Sequence, residues 1–166
     1  MLRNREIDSV GSQTPWYRDG LRFECTRCGQ CCSGSPGTVL VSDQEIDELA
    51  RHVSLSVEEF RAVYTRTLRK GEISLREKRS KECVFFDRDR GCSIYKQRPR
   101  QCRTWPFWRG VVASEERWNE EAEGCPGMNR GKLRDAAEVA RTSSADGTSG
   151  FVPIVPDLEP TGVTDA

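Results

Sequence analysis

The sequence has a single histidine, no long apolar run and no net charge, and each of these shortages excludes a class of protein. With His52 alone, neither a Ser-His-Asp hydrolase site nor a zinc-hydrolase site with several histidines can be assembled. No stretch approaches the roughly 20 apolar residues that span a bilayer, so we expect no membrane partner. The 26 basic and 26 acidic residues balance, which argues against a nucleic-acid partner. Glycine-rich phosphate loops and dinucleotide fingerprints are also missing.

The first twenty residues contain no apolar run of the kind found in a signal peptide. We therefore expect a cytoplasmic protein in a reducing environment. Clustered cysteines in such a compartment more often bind metal than form disulfides.

Cysteine is what the chain has in quantity, and the cysteines are unevenly placed. Four of the eight fall in the segment Cys25-Thr26-Arg27-Cys28-Gly29-Gln30-Cys31-Cys32. Thiols at every third position of a tight loop suit a soft metal ion or an iron–sulfur cluster, and Gly29 permits the backbone angles that such a loop needs. We predict that all eight are metal ligands: Cys25, Cys28, Cys31, Cys32, Cys83, Cys92, Cys102 and Cys125.

The spacing leaves the identity of the metal open. Cys25, Cys28 and Cys31 follow the spacing of a bacterial ferredoxin run, and Cys125-Pro126 is like its remote Cys-Pro, although it lies much farther along the chain. Alternatively, the Cys25/Cys28 pair is typical of a zinc knuckle, and two four-cysteine zinc sites would use all eight thiols. The spacing slightly favours the iron–sulfur cluster over zinc.

Composition predicts one small domain with a thin core. The mean hydropathy is −0.68 and 36% of the residues are hydrophobic, so a metal staple would compensate for limited apolar burial. We expect an N-terminal arm (1–20) with Trp16 and Tyr17 on the domain edge, a cysteine-cluster metal-binding domain (21–132), and a segment containing a helix end and a disordered tail (133–166).

Local patterns predict a small α+β fold with short strands, a hairpin and several helices. Capping boxes start helices at Ser42-Asp43-Gln44-Glu45 and at Ser56-Val57-Glu58-Glu59, and the second helix is expected to end near Gly71. His52 falls on the polar side of the first of these helices. Both helices are expected to be scaffold.

Strands are expected at 38–41, around Ile73–Leu75, and in a hairpin whose arms are 83–86 and 92–95. Pro99 favours a short helical turn that carries Cys102. Helices are predicted from Ser114 to Glu123 and over 132–141, with a dispensable tail after about Arg141. The alternative for that tail is a docking segment formed by its apolar residues, which are Phe151, Val152, Ile154 and Val155.

The scattered cysteines are expected to gather around the loop, because the loop cannot aim all of its own sulfurs at one ion without strain. At least six of the eight sulfurs should then lie in one or two compact groups. Four neighbouring arginines could offset the thiolate charge, and three aromatic side chains could exclude water from the site. These are Arg27, Arg98, Arg100 and Arg103, together with Trp105, Phe107 and Trp108.

Several of these elements, in this order, resemble the YkgJ-type cysteine-cluster family, described as a zinc- or iron-chelating domain. The matching elements are the CxxCxxCC cluster at 25–32, the Cys83/Cys92 pair, the stretch Ile94 to Arg103, Pro106-Phe107 and Cys125. The resemblance covers about residues 21–130 and implies metal binding. A similar cluster occurs in the flagellin lysine methylase family, and by this analogy alone a protein-modifying enzyme is an alternative function.

Three functions remain open at this point. The first is a metal or cluster binder that acts as a chelator, carrier or redox module. The second is a structural zinc module for protein interaction, which would need closed sites and no spare thiols. The third is the enzyme; no catalytic motif supports it, and the chain is more simply interpreted as not an enzyme by itself.

Overall fold

The computed structural model describes residues 14–34 and 37–148, which form a small α+β domain. Within these ranges the helices are α1 (Gln30–Ser33), α2 (Asp43–His52), α3 (Val57–Tyr64), α4 (Arg100–Thr104), α5 (Glu115–Gly124) and α6 (Ala136–Ser144). The strands are β1 (Leu21–Phe23), β2 (Thr65–Thr67), β3 (Ile73–Leu75), β4 (Phe86–Asp87), β5 (Gly91–Cys92) and β6 (Lys132–Arg134). None of these helices combines the length and apolarity needed to cross a bilayer.

Three antiparallel two-stranded ladders connect distant parts of the chain. β1 pairs with β6 with Leu21 opposite Arg134, and β2 pairs with β3 with Thr65 opposite Leu75. β4 pairs with β5 with Phe86 opposite Cys92, which is the predicted cysteine hairpin in a shortened form.

Helices α2 and α3 begin where their capping boxes predict. The Ser42 hydroxyl accepts a hydrogen bond from the Glu45 backbone N–H at 3.2 Å, and the Glu45 carboxylate accepts one from the Ser42 N–H at 2.9 Å. Ser56 and Glu59 form the same reciprocal pair. Each box satisfies N–H groups that the first helical turn would otherwise leave without partners.

Loss of either cap is expected to affect the fold but not the cysteines. Ser42→Ala or Ser56→Ala should each lower the free energy of unfolding by about 1 kcal/mol, because one N-terminal N–H loses its acceptor. Denaturant titration measures the loss, and elemental analysis should show unchanged metal content. A cap variant that keeps its fold but loses metal would mean that the metal site is misplaced.

Two hydrophobic cores support the domain. The first core contains α2, α3 and the stacked rings of Phe60, Tyr64 and Phe85, and Phe60 is 0% exposed. The second core surrounds Trp118, which is 1% exposed and lies 5.8 Å from the ring of Phe107. The cysteine-lined cavity described below is lined by residues of both cores.

The N-terminal aromatic residues pack on the second core, as the sequence predicts. The Trp16 indole N–H donates to the Val112 carbonyl at 2.8 Å, and the Trp16 ring lies 6.3 Å from that of Trp118. Residues 1–13 lie outside the described part.

Three predicted elements differ in the structure. Residues 38–41 form only an isolated bridge to β3, with Leu40 opposite Ser74 and backbone hydrogen bonds at Val39 and Val41; the Leu40 N–H faces the other way and donates to the Gln101 side chain at 2.8 Å. Helix α3 ends at Tyr64, because the β-branched Thr65 and Thr67 pair with β3. Gly71 lies in the turn between these strands, with φ of 81°, rather than at a helix end.

The C-terminal part also differs from expectation. The predicted helix over 132–141 is replaced by β6 followed by α6, whose N-cap is Asp135. The predicted boundary after 132 therefore falls inside a strand, and α6 buries Val139 completely, at 0% exposure. Helix α6 continues to Ser144, and Ser143 and Asp146 are buried, so the ordered part of the chain extends past Arg141, while the expectation that this tail is dispensable stays a prediction. Residues 149–166, including the alternative docking segment, lie outside the described part.

Asp146 shows why this end of the chain matters. Its carboxylate accepts the Arg109 N–H at 2.7 Å, its carbonyl accepts the Thr104 hydroxyl at 2.8 Å, and the residue is 2% exposed. Asp146→Ala should lower the free energy of unfolding by about 2 kcal/mol, because a buried N–H loses its charged acceptor. Denaturant titration against the exposed control Arg141→Ala measures this loss. Equal stability of the two variants would contradict the role given to Asp146.

Candidate metal centre

The cysteine loop turns sharply on both sides of its second cysteine, Cys28. Arg27 and Gly29 have φ of 58° and 79°, both in the left-handed region, and Gly29 precedes the short helix α1. The Gly29 carbonyl accepts the N–H groups of Cys32 and Ser33, each at 2.9 Å. The loop therefore reverses direction between Cys28 and Cys31, as the glycine in the motif predicts.

The β4–β5 hairpin lies against this loop. The Cys83 N–H donates to the Cys32 carbonyl at 2.8 Å, which joins the two cysteine segments through the backbone. Cys92 lies on β5 opposite Phe86. Two cysteines nine positions apart are thereby brought beside the loop.

The last two cysteines arrive on helical segments. The predicted short helical turn after Pro99 is present as α4, which carries Cys102. Pro99 is the N-cap of α4, one position before its first helical residue. Cys125 directly follows α5 and is 7% exposed. It belongs to the second core, so the packing of that core fixes its position.

One cavity of about 310 Å³ brings these segments together. Leu75 and Ile94 of the first core and Phe23, which packs on the second, line it as well. The cysteines that line it are Cys25, Cys28, Cys31, Cys32, Cys83, Cys92, Cys102 and Cys125. The gathering of the scattered cysteines around the loop is therefore found, while their role as ligands stays a prediction.

The sulfurs surround the cavity without closing on a point. The Cys31 and Cys32 sulfurs lie 3.8 Å apart. Among the described residues, however, no three His, Cys, Asp or Glu side chains are already arranged to hold a single ion. The expectation that at least six of the eight sulfurs lie in one or two compact groups stays a prediction.

Exposure divides the eight thiols between the surface and the interior. Cys25, Cys28 and Cys31 are exposed, and Cys125 is buried. The other four are half-buried: Cys32, Cys83, Cys92 and Cys102. The cysteine loop therefore forms the outer side of the cavity.

The surroundings change the acidity of several thiols. The hydrogen bond with Cys32 lowers the pKa of Cys31 to about 7, with a smaller contribution from the charge of Arg98. The same bond raises the pKa of Cys32. Burial raises the pKa of Cys83 and that of Cys92.

Cys102 is shifted in the same direction. Burial raises its pKa, and the neighbouring thiols Cys83, Cys31 and Cys92 add to the effect. A thiol of this kind remains protonated at neutral pH until a metal displaces the proton.

Metal affinity should accordingly rise with pH. The thiols of Cys83, Cys92 and Cys102 must each release a proton on becoming ligands, so protons compete with the metal more strongly as the pH falls. Competition with a chelator of known affinity should show at least about a 100-fold gain between about pH 6 and about pH 8. A pH-independent affinity, after correction for the chelator, would contradict ligation by these thiols.

Cationic side chains line the cavity beside the thiols. Arg27 and Arg98 stack over the ring of Tyr95, with guanidinium carbons 4.3 and 3.7 Å from its centroid. Arg88 and Arg90, in the hairpin turn, also line the cavity. The two hairpin arginines are absent from the sequence prediction, because their turn has the composition of an ordinary solvated loop.

The other predicted accessory residues have different places. Trp105 lines the cavity, whereas Phe107 and Trp108 do not; the Trp108 ring packs on the Trp105 ring, with centroids 4.7 Å apart. Arg100 and Arg103 do not line it. His52 is exposed on α2, as its polar helix side predicts.

Comparison with known proteins agrees with this arrangement. The model of a family described as "CxxCxxCC: Putative zinc- or iron-chelating domain" matches residues 24–126. A curated protein of Methanocaldococcus jannaschii, itself named only as uncharacterized, is 28% identical over 92 residues. That match covers 55% of this chain and 48% of the relative, so the chain spans about half the length of the protein it matches. No solved structure matches the chain significantly.

The matched range begins one residue before Cys25 and ends one residue after Cys125, so it contains every cysteine that lines the cavity. The chain therefore belongs to this CxxCxxCC family.

Proposed function

We propose that the chain binds a metal centre through its cysteine thiolates and acts as a chelator, carrier or redox module. One observation carries the proposal: eight cysteines from four separate segments line a single cavity. A core that only needed small apolar side chains would not require thiols on every side of one space. Thiolates are the preferred ligands of zinc, copper(I) and iron–sulfur clusters.

An iron–sulfur cluster is the centre that we favour. The cavity of about 310 Å³ is equivalent to about ten water molecules at roughly 30 Å³ each, which exceeds the space that one ion requires. Cluster-bound sulfurs also lie farther apart than those around one zinc ion, on the order of 6 to 7 Å against 3.5 to 4 Å. The Cys31 and Cys32 sulfurs, 3.8 Å apart, match the smaller spacing, so our preference for a cluster rests on the size of the cavity and on the ferredoxin-like spacing of Cys25, Cys28 and Cys31.

The cationic lining supports a strongly anionic occupant. Four thiolates leave either kind of centre with net negative charge, and arginine N–H groups near sulfur would stabilise it. Arg27, Arg88, Arg90 and Arg98 line the cavity, and Asp89 is the one carboxylate in the lining. Arg88 also forms an ion pair with Glu82 at 2.7 Å, which leaves three arginines to offset the charge of a bound centre. The chain would therefore hold the centre through its thiolates and offset the charge through its arginines.

The exposed side of the cavity favours a carrier or redox module over a closed structural site. Cys25, Cys28 and Cys31 are exposed, so a centre that they bind lies near the surface. A partner could approach such a centre to exchange metal or electrons. Two closed four-cysteine zinc sites would instead leave no thiol at the surface.

Anaerobic purification followed by an absorption spectrum and sulfide analysis tests this proposal. Protein produced with both iron and zinc available should show the broad visible absorption of an iron–sulfur cluster, and acid should release sulfide in proportion to iron. Colourless protein with two zinc ions per chain would support the structural zinc module instead. Folded protein with neither metal would overturn metal binding altogether.

A further inference from the structure

A second cavity, of about 530 Å³, adjoins the cysteine cavity on the side of β6 and α6. We call it the basic pocket, because four cationic side chains line it: Arg98, Arg103, Lys132 and Arg134. Cys25 lines both cavities. Nothing in the metal-binding proposal accounts for this second space.

The charges of the basic pocket are only partly compensated. Two carboxylates face the four cations, and one of them, Glu138, forms an ion pair with Arg134. Within the described ranges, Arg98, Arg103 and Lys132 form no ion pair. Glu24 is the one remaining carboxylate in the lining. The pocket therefore carries an excess of positive charge next to its solvent opening.

Backbone contacts hold two of these cations in place. The Arg98 Nε–H donates to the Tyr95 carbonyl at 2.8 Å, and one terminal nitrogen of Arg103 donates to the Arg98 carbonyl at 2.6 Å. Each guanidinium keeps further N–H groups for another acceptor, since arginine has five. Positioned donors with spare N–H groups are suited to carboxylate or phosphate oxygens.

Arg134 is a third arginine in the lining, and its Nη1 nitrogen pairs with Glu138. Its Nε atom is buried, and no hydrogen-bond acceptor reaches it among the described residues. Because a buried atom is closed to a ligand as well, Arg134 contributes to the pocket through its charge and its terminal N–H groups.

Part of the lining of the basic pocket is apolar. Phe23 and Trp105 are half-buried and present apolar surface, whereas Phe107 and Val139 are buried; the Phe23 and Phe107 rings lie edge to face with centroids 6.0 Å apart. Such a wall would contact a flat hydrocarbon group while the cations hold an anionic head.

We propose that the basic pocket binds a small organic anion, a carboxylate or phosphate monoester with a flat apolar group, beside the metal centre. Charge compensation of the thiolates explains the cations less well, because Arg103, Lys132 and Arg134 line the basic pocket but not the cysteine cavity. The shared Cys25 would place the bound anion at the edge of the centre. The proposal does not depend on which metal the cysteines hold.

Calorimetric titration of the full, metal-loaded chain with phenyl phosphate tests the proposal, with phenylacetate as the carboxylate probe. We expect saturable binding of one molecule per chain to at least one probe, and the tighter probe identifies the head group. Lys132→Gln and Arg103→Gln should each weaken binding about tenfold, because each removes one charged donor. Lys70→Gln, which removes an exposed charge outside the pocket, should leave the affinity unchanged.

Three comparisons can overturn the proposal. These are a failure of both probes to saturate, equal affinities in Lys132→Gln and Lys70→Gln, and binding of uncharged phenol as tight as that of the anions. Inorganic phosphate should bind more weakly than phenyl phosphate, and equal affinities would contradict the role of the apolar wall. Metal content measured on every sample separates the two proposals, since protein without metal that still binds the probe supports the basic pocket alone.

Discussion

Cys28→Ser is expected to lower the metal affinity of the chain by at least about 100-fold. Cys28 lies in the Cys25-x-x-Cys28-x-x-Cys31 run, so it is a ligand under both the iron–sulfur and the zinc interpretation. Replacing thiolate by hydroxyl removes a direct bond to a soft metal, which should cost more than the roughly 10- to 100-fold loss seen when outer partners of ligands are removed. Chelator competition measures the affinity.

Thr26→Ala is the matched control for this substitution. Thr26 lies in the same exposed loop and lines the same cavity, but it has no thiol. Its variant should keep the metal content and affinity of the natural chain. If Cys28→Ser and Thr26→Ala bound metal equally well, Cys28 would not be a ligand and the loop would not be the core of the site.

Gly29→Ala is expected to lower the free energy of unfolding by about 2 to 4 kcal/mol and to reduce metal content with it. The residue has φ of 79°, which costs an alanine about 1 kcal/mol or more. A β-carbon there would also lie 2.4 Å from Cζ of Phe86, whose ring is 7% exposed and cannot simply move aside. Moving Phe86 would move β4 and, through its pairing, Cys92.

Gly71→Ala separates the two contributions. Gly71 has nearly the same φ, 81°, but a β-carbon added to it would meet nothing within 4 Å. Its variant should lose only about 1 kcal/mol and keep its metal. Denaturant titration and elemental analysis of both variants test the explanation; equal losses of stability would show that contact with Phe86 contributes nothing.

Local signals were sufficient for much of the fold. In the capping boxes at Ser42 and Ser56, the sequence identifies both the serine and the glutamate whose side chains accept hydrogen bonds from N–H groups at the helix start. These boxes therefore predict where α2 and α3 begin. Ser114 caps α5 through its hydroxyl alone, which accepts the Arg117 N–H at 3.3 Å. The cysteine hairpin was predictable because Asp87 to Gly91 has the composition of a turn between two apolar segments.

Pairing between distant segments was not predictable in the same way. β1 and β6 are three-residue strands more than a hundred positions apart, and neither has enough alternation to reveal its partner. Asp146 resembles a tail residue in sequence, and only its contacts with Thr104 and Arg109 make it part of the interior. Such features depend on tertiary contacts that no local pattern encodes.

The candidate site likewise has one part that the sequence predicts and another that it does not. The cysteines could be identified from the sequence because thiol clusters are rare and chemically specific, and the structure brings all eight to one cavity. The hairpin arginines and the basic pocket could not, since charged residues are common on every surface. Lys132 and Arg134 enter the pocket only because β6 pairs with β1, which carries Phe23 beside the cysteine loop.

Native mass spectrometry of the anaerobically purified chain tests the central claim most directly. The folded protein should have a mass that exceeds that of the polypeptide by at least one metal centre, and the excess should disappear on unfolding in acid. An iron–sulfur cluster would add both iron and sulfide, whereas zinc would add metal alone. A folded chain whose mass equals that of the polypeptide alone, after production with iron and zinc present, would contradict a metal centre in the cysteine cavity.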